Sequence, residues 1–291
     1  MPTIKIKPTA GTLHVSYNIS TPTNTNAKTI DPKLPTILFL HPVYIASELF
    51  HGQFADRHLR QFNLVALDLR AHGETGGDCP LKKWNQEAAA DDIAKFMDAL
   101  KLPACHIFGL SMGTIIALQL AVSHPKKVLS LFLVSPLGLA EPEDVAAGRE
   151  EIGEYWSEGL RTNDDAALSD AVHGALQLAF NNAQTNIAAA VTARAVPNAM
   201  KNWTKKNIDS YNVGTVKFFT DRKEHSRETL SKFKFPVHLA HCMDDVAYPL
   251  EFTEAFLAQL KDAGVNTTFS TIPDAPHFGC VTHPEMFVFS S

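Results

Sequence analysis

Apolar and polar positions change their spacing several times along this chain, and the changes divide it into predicted strands and helices. From Ile4 to Ile19 the two classes alternate, which predicts a β-hairpin turning at Thr9-Ala10-Gly11. Thr21 to Pro35 is dense in Thr, Asn and Pro and reads as a loop. Unbroken apolar runs follow at Thr36–Leu40, Leu64–Leu67, Cys105–Leu110, Leu129–Val134 and Val237–His241, with a weaker one at Thr267–Ile272. These runs have the length of strands buried on both faces. Elsewhere the spacing is helical: Ala89, Ile93, Phe96, Met97 and Leu100 precede Pro103, and Phe252, Phe256, Leu257 and Leu260 precede Gly264. Strands alternating with helices predict an α/β fold, a mostly parallel sheet flanked by helices.

The alternation stops between Glu141 and Lys232. Leu168, Val172, Leu176 and Phe180 keep helical spacing there, and the single strand-like run is Val216–Phe219. This predicts a helical insertion between two sheet strands. The expected division is a core of residues 1–140 and 233–291 with an insertion of residues 141–232.

Composition narrows the picture. A chain of 291 residues, 45% of them hydrophobic, can bury a large core. A formal net charge of −5 leaves no basic face for nucleic acid, so no nucleic-acid partner is expected. No run approaches the roughly 18 apolar residues of a membrane span. Nothing at the start of the chain resembles a signal peptide, and a cytoplasmic location is the default expectation. Cys79, Cys105, Cys242 and Cys280 are far apart, with no Cys-x-x-Cys pair, and the histidines lack ligand spacing. No metal site is expected.

The chemistry starts at Gly109-Leu110-Ser111-Met112-Gly113, a G-x-S-x-G pattern directly between an apolar strand and the helix-like Thr114–Leu120. A turn this sharp strains its central residue and lifts the serine hydroxyl clear of the sheet, with glycines permitting the close approach of strand and helix. A serine needs a base to become a nucleophile. His277, in Asp274-Ala275-Pro276-His277, follows the last strand, at the sheet edge where sites collect in open α/β sheets. Asp244 and Asp245 leave the strand that ends at His241 and compete as the acid, with Asp245 preferred. The order Ser111, Asp245, His277 is that of a nucleophile–acid–base set. An oxyanion needs backbone N–H donors. Met112 is one candidate. The other lies in His41-Pro42-Val43-Tyr44, where Pro42 has no N–H and Val43 or Tyr44 can donate.

Together these segments, with Asp68-Leu69-Arg70-Ala71-His72-Gly73, resemble the α/β-hydrolase superfamily in its lid-bearing, serine esterase-like branch, over nearly the whole chain. The resemblance maps the second oxyanion donor to Val43. It also favours Asp245, which stands four residues before Pro249 as the family's acid does. Three positions depart from the family pattern: Pro42, Ala71 and Cys242 stand where glycine is usual. The resemblance implies acyl transfer to water through an acyl-enzyme, on a small or medium carboxylic ester or lactone, with no metal or organic cofactor. Thioesters or carbon–carbon bonds are alternatives for the same triad, and a slowly turning-over ligand receptor is an alternative of another class. The insertion is expected to act as a lid. His41, Tyr44, Trp156, Phe180 and Trp203 are the candidate pocket residues, together with Tyr211, although each lid aromatic is also suited to filling the insertion's own core.

Overall fold

The computed structural model of the chain describes residues 1–79, 84–181 and 185–287. Among these residues nine strands form one sheet: β1 (Thr3–Ile6), β2 (Leu13–Ser20), β3 (Thr36–Leu40), β4 (Asn63–Leu67), β5 (Gly76–Gly77), β6 (Cys105–Leu110), β7 (Val128–Val134), β8 (Val237–Cys242) and β9 (Thr267–Ile272). The order is β1-β2-β4-β3-β6-β7-β8-β9, with β5 against β2. The hairpin β1–β2 is antiparallel and turns through Gly11, whose φ of 106° suits glycine. From β4 to β9 every pairing is parallel. All residues of β3 and β4 are buried, which is why they read as unbroken apolar runs. β9, at the sheet's edge, is mostly half-buried or exposed, and its weaker pattern follows from that.

The longer helices are α1 (Gln86–Ala99), α2 (Met112–Ser123), α3 (Glu143–Thr162), α4 (Asp165–Phe180), α5 (Asn186–Asn202) and α6 (Leu250–Asp262). The Asn85 side chain caps α1 by accepting from the Ala88 N–H at 3.1 Å. α2 is buried from Met112 to Ala121.

α3, α4 and α5 form the helical insertion between β7 and β8. Polar residues punctuate it. Asn163 and Asn181 end α3 and α4 in the left-handed region, which asparagine tolerates better than most residues. Asp164 then caps α4, and Thr185 caps α5. The strand-like run Val216–Phe219 is helical, spanning the end of a π-helical segment, Asn212–Lys217, and the start of Phe218–Thr220. The two sides of β7 are already taken by β6 and β8, so this run has no partner strand there and buries Val216, Phe218 and Phe219 as helix instead. Among the described residues no helix is long and apolar enough to cross a membrane.

Candidate active site

Ser111 sits between β6 and α2 with φ 52° and ψ −115°, a strained conformation for a residue with a side chain. The neighbouring glycines make the turn possible. A Cβ on Gly113 would lie 2.1 Å from the Leu40 carbonyl oxygen, and one on Gly109 would lie 2.7 Å from that of Gly113. The turn is also tied down. The Ser111 N–H donates to Val134 O at 3.1 Å. Thr114 Oγ1 donates to Ser111 O at 2.6 Å and accepts from the Leu137 N–H at 3.0 Å.

The loop after β9 carries His277 to the serine. Its carbonyl accepts from Ser135 Oγ at 2.7 Å, which pins the loop to the end of β7. His277 Nε2 lies 2.8 Å from Ser111 Oγ, and its Nδ1 lies 2.5 Å from Asp245 Oδ2. An ionised carboxylate only accepts, so Nδ1 carries the proton and Nε2 is free to accept from the serine hydroxyl. The other Asp245 oxygen accepts from the N–H groups of Ala247 and Tyr248, both at 3.0 Å. Asp245 is buried whereas Asp244 is exposed, so the structure brings Asp245 and not Asp244 to the imidazole.

Met112 opens α2, where the first helical N–H groups lack an intrahelical acceptor. Val43 follows β3. His41 Nε2 accepts from the Leu69 N–H at 2.9 Å, so its Nδ1 is protonated and donates to Pro42 O at 2.7 Å. In a trans peptide C=O and N–H point in opposite directions. Holding the Pro42 carbonyl toward His41 therefore turns the Val43 N–H the other way. Among the described residues neither the Val43 nor the Met112 N–H has a protein acceptor. Burial lowers the His41 pKa to about 4, against the raising effect of its bond to Pro42, so the ring is neutral. His72 packs edge-on to it, 5.2 Å between centroids, and is lowered to about 3 by burial and by the neighbouring His41.

Ser111 and His277 open into a pocket lined by Val43, Tyr44, Tyr248 and Phe278 on the sheet side. Val145, Arg149 and Ile152 of α3 and Ala175, Leu176, Leu178 and Ala179 of α4 form the opposite side. Tyr44 therefore lines the pocket. His41, Trp156, Phe180 and Trp203 do not, and their expected place is corrected. His41 is enclosed beneath the loop it orients. Trp156 is fully buried and stacks on Tyr211 at 5.1 Å, and Trp203 packs edge-on to Tyr44 and His72. Tyr211 in turn meets the Tyr44 hydroxyl at 2.9 Å. These aromatics form a layer behind Tyr44. Phe180 packs edge-on to Phe278, while its neighbours Leu178 and Ala179 reach the pocket.

Sequence reasoning missed a buried polar cluster beside His277. Tyr248 stacks on His277 at 5.3 Å between centroids. Its hydroxyl donates to Glu141, 2.9 Å from Oε1, and accepts from Arg149 Nη2 at 3.0 Å. Arg149 Nε donates to Glu141 Oε1 at 2.5 Å. Arg222 Nη1 lies 2.7 Å from Glu141 Oε2, close enough for an ion pair but without hydrogen-bond alignment. Burial opposes ionisation of Glu141, but Arg149 and Arg222 outweigh it and hold its carboxyl below the usual range. Burial and the Glu141 charge push the Tyr248 phenol up to about 12. One signal for this cluster was available in the sequence. Val145, Arg149, Ile152 and Trp156 are spaced four, three and four apart, which puts a charge in the apolar stripe of a helix.

Residues 35–284 match the family model described as the alpha/beta hydrolase fold, and the chain belongs to that family. Over 107 residues it is 37% identical to the dihydrolipoyllysine-residue acetyltransferase component of an acetoin cleaving system from Cupriavidus necator, a match covering 36% of this chain and 28% of that protein. The chain spans under half the length of the first curated relatives it matches. Solved structures align along almost its whole length. A thermophilic esterase from Thermogutta terrifontis, with malate bound, superposes with a TM-score of 0.72 at 18% identity, covering 99% of this chain and 96% of that one. An enol-lactonase from Burkholderia xenovorans LB400 gives 0.71 at 19% identity, covering 98% and 96%. At such identities the likeness is one of fold.

Proposed function

We propose that this protein is a serine hydrolase that cleaves a small or medium carboxylic ester or lactone through an acyl-enzyme. The observation that carries this reading is the unbroken hydrogen-bond chain from Ser111 through His277 to Asp245, opening into a largely apolar pocket. Ser111 Oγ attacks the carbonyl carbon as His277 Nε2 takes its proton, and Asp245 stabilises the imidazolium that forms. The Val43 and Met112 N–H groups receive the oxyanion. His277 then returns the proton to the leaving alcohol. Water, deprotonated by His277 in turn, releases the acid and restores Ser111. The reading needs neither metal nor organic cofactor. Residues 141–232 act as a lid on a core of residues 1–140 and 233–291, since α3 and α4 supply the wall opposite the serine. Esterase and enol-lactonase neighbours support the reaction class.

Activity-based labelling with a fluorophosphonate, followed by a panel of esters and lactones, tests the proposal. The expected result is one labelled site, Ser111, and multiple turnovers of at least one ester or lactone. A label mapped to another serine, or no label at all, overturns it.

A further inference from the structure

We propose that Arg149 recognises a carboxylate on the substrate, so that the molecules this site takes are esters or lactones bearing a second, free carboxylate. The proposal rests on the hydrolase reading for the ester half of the substrate. The carboxylate half rests on Arg149 itself.

Arg149 lines the same pocket as Ser111 and His277, and among the described lining residues no Asp, Glu, Lys or other Arg accompanies it. The charge count around it is uneven. Arg149 and Arg222 share the single carboxylate of Glu141, which leaves one positive charge over. Arg222 and Glu141 are enclosed, each with 1% side-chain exposure, whereas Arg149 keeps 15% and carries that charge to the pocket. Its hydrogen bonds are only partly used. Nε serves Glu141 and Nη2 serves the Tyr248 hydroxyl, while Nη1 has no acceptor among the described residues. Its guanidinium carbon stands 3.6 Å over the Phe219 ring centroid, a cation–π contact that helps to hold the group in place and supplies no acceptor to Nη1. A half-satisfied cation in an apolar pocket is costly unless an anion completes it. A planar fork held in advance suits a carboxylate, because two parallel N–H···O bonds form with little further ordering. Tyr248 joins this edge to the reacting one, its hydroxyl on Arg149 and its ring on His277. One aromatic side chain therefore separates the cation from the base, close enough for both ends of one small molecule.

Binding is measured by calorimetry in the Ser111→Ala variant with monomethyl glutarate and dimethyl glutarate, which differ by one carboxylate. The anionic monoester is expected to bind about tenfold or more tightly, as a charge-assisted hydrogen bond implies. Arg149→Met in that background erases the difference, and Arg149→Lys keeps part of it. Because Arg149→Met strips Glu141 of one partner, Glu141→Gln with Arg149→Met repeats the measurement without a stranded carboxylate. In the parent protein, kcat/KM for p-nitrophenyl hydrogen glutarate exceeds that for p-nitrophenyl pentanoate, and the ratio falls about tenfold in Arg149→Met. Equal binding of the two glutarates, or a preference that survives both methionine variants, overturns the proposal. Selective binding without turnover of either nitrophenyl ester upholds the carboxylate site and removes the hydrolase reading. Turnover without selectivity does the reverse.

Discussion

The two walls of the pocket are held by different forces. On the sheet side the main chain does the holding: Ser111 N–H bonds to Val134 O, Ser135 Oγ to His277 O, and the Asp245 carboxylate to two successive N–H groups. On the insertion side the positions follow from side chains, namely the aromatic layer of Trp156, Trp203 and Tyr211 and the cluster of Glu141, Arg149, Arg222 and Tyr248. Among the described residues one main-chain bond, Phe278 N–H to Ala179 O, joins the two walls. A wall built on strand ends holds reacting atoms to fractions of an ångström, which bond-making chemistry requires. A wall built from side chains tolerates substitution and sets what fits. Damage to the first wall is therefore expected to stop turnover, and damage to the second to shift selectivity or stability.

The largest effect expected is from Ser111→Ala, which lowers kcat by roughly 10⁴- to 10⁶-fold, because nucleophile and base act as a unit. Steady-state kinetics beside a melting curve checks it, and a loss of activity matched by loss of fold would erase the contrast between the walls. Next is the pair Asp245→Asn and Asp244→Asn. The first removes the carboxylate at 2.5 Å from His277 Nδ1 and is expected to cost on the order of 10⁴ in kcat. The second alters an exposed side chain and should leave the rate within about twofold.

The insertion supplies a third test. Trp156→Ala is expected to cost about 3–5 kcal/mol of stability with the acyl-chain preference unchanged, since the indole is fully buried behind the wall. Leu178→Ala, at a side chain 40% exposed that lines the pocket, should cost within roughly 1 kcal/mol and shift the preference. Denaturant titration with a chain-length series of esters separates the two, and identical profiles in both variants would dismiss α4 as a specificity element.

The last test concerns pH rather than substitution of the walls: His41 and His72 lie beneath the loop that carries Val43. Their folded pKa values, about 4 and about 3, lie below the ordinary 6.5. The unfolded chain therefore binds more protons as acid is added, so stability is full above about pH 6.5 and declines as pH falls toward 4. Each ring contributes a loss of about 2 kcal/mol by pH 5. Unfolding titrations at pH 7 and pH 5 read the slope, and His72→Gln should flatten it. An unchanged slope would assign the acid sensitivity elsewhere.

Much of the frame was legible in advance, because each signal occupied a few adjacent residues. Buried strands announce themselves as apolar runs, and the Gly109–Gly113 segment can make its turn only with small residues where Leu40 and α2 crowd it. Asp245 and His277 each follow a strand, and parallel pairing brings successive strand ends to one edge. The Val216–Phe219 run is strand-like in sequence and helical in the structure, because β-branched and aromatic residues suit strand and buried helix alike, and the occupied neighbours of β7 decide between them.

From sequence alone came the fold, the order of Ser111, Asp245 and His277 on three strand ends, and the loop carrying Val43. Such features follow from local backbone geometry and from a right-handed chain that must cover both faces of a parallel sheet. Only the tertiary structure decided which residues of the insertion face the serine: Arg149 and Ile152 rather than Trp156, and Leu178 rather than Phe180. Helical spacing groups residues onto a face, but the rotation of that face depends on what the helix packs against. Here that is an aromatic layer and a buried ion cluster assembled from segments more than a hundred residues apart, which no local pattern encodes.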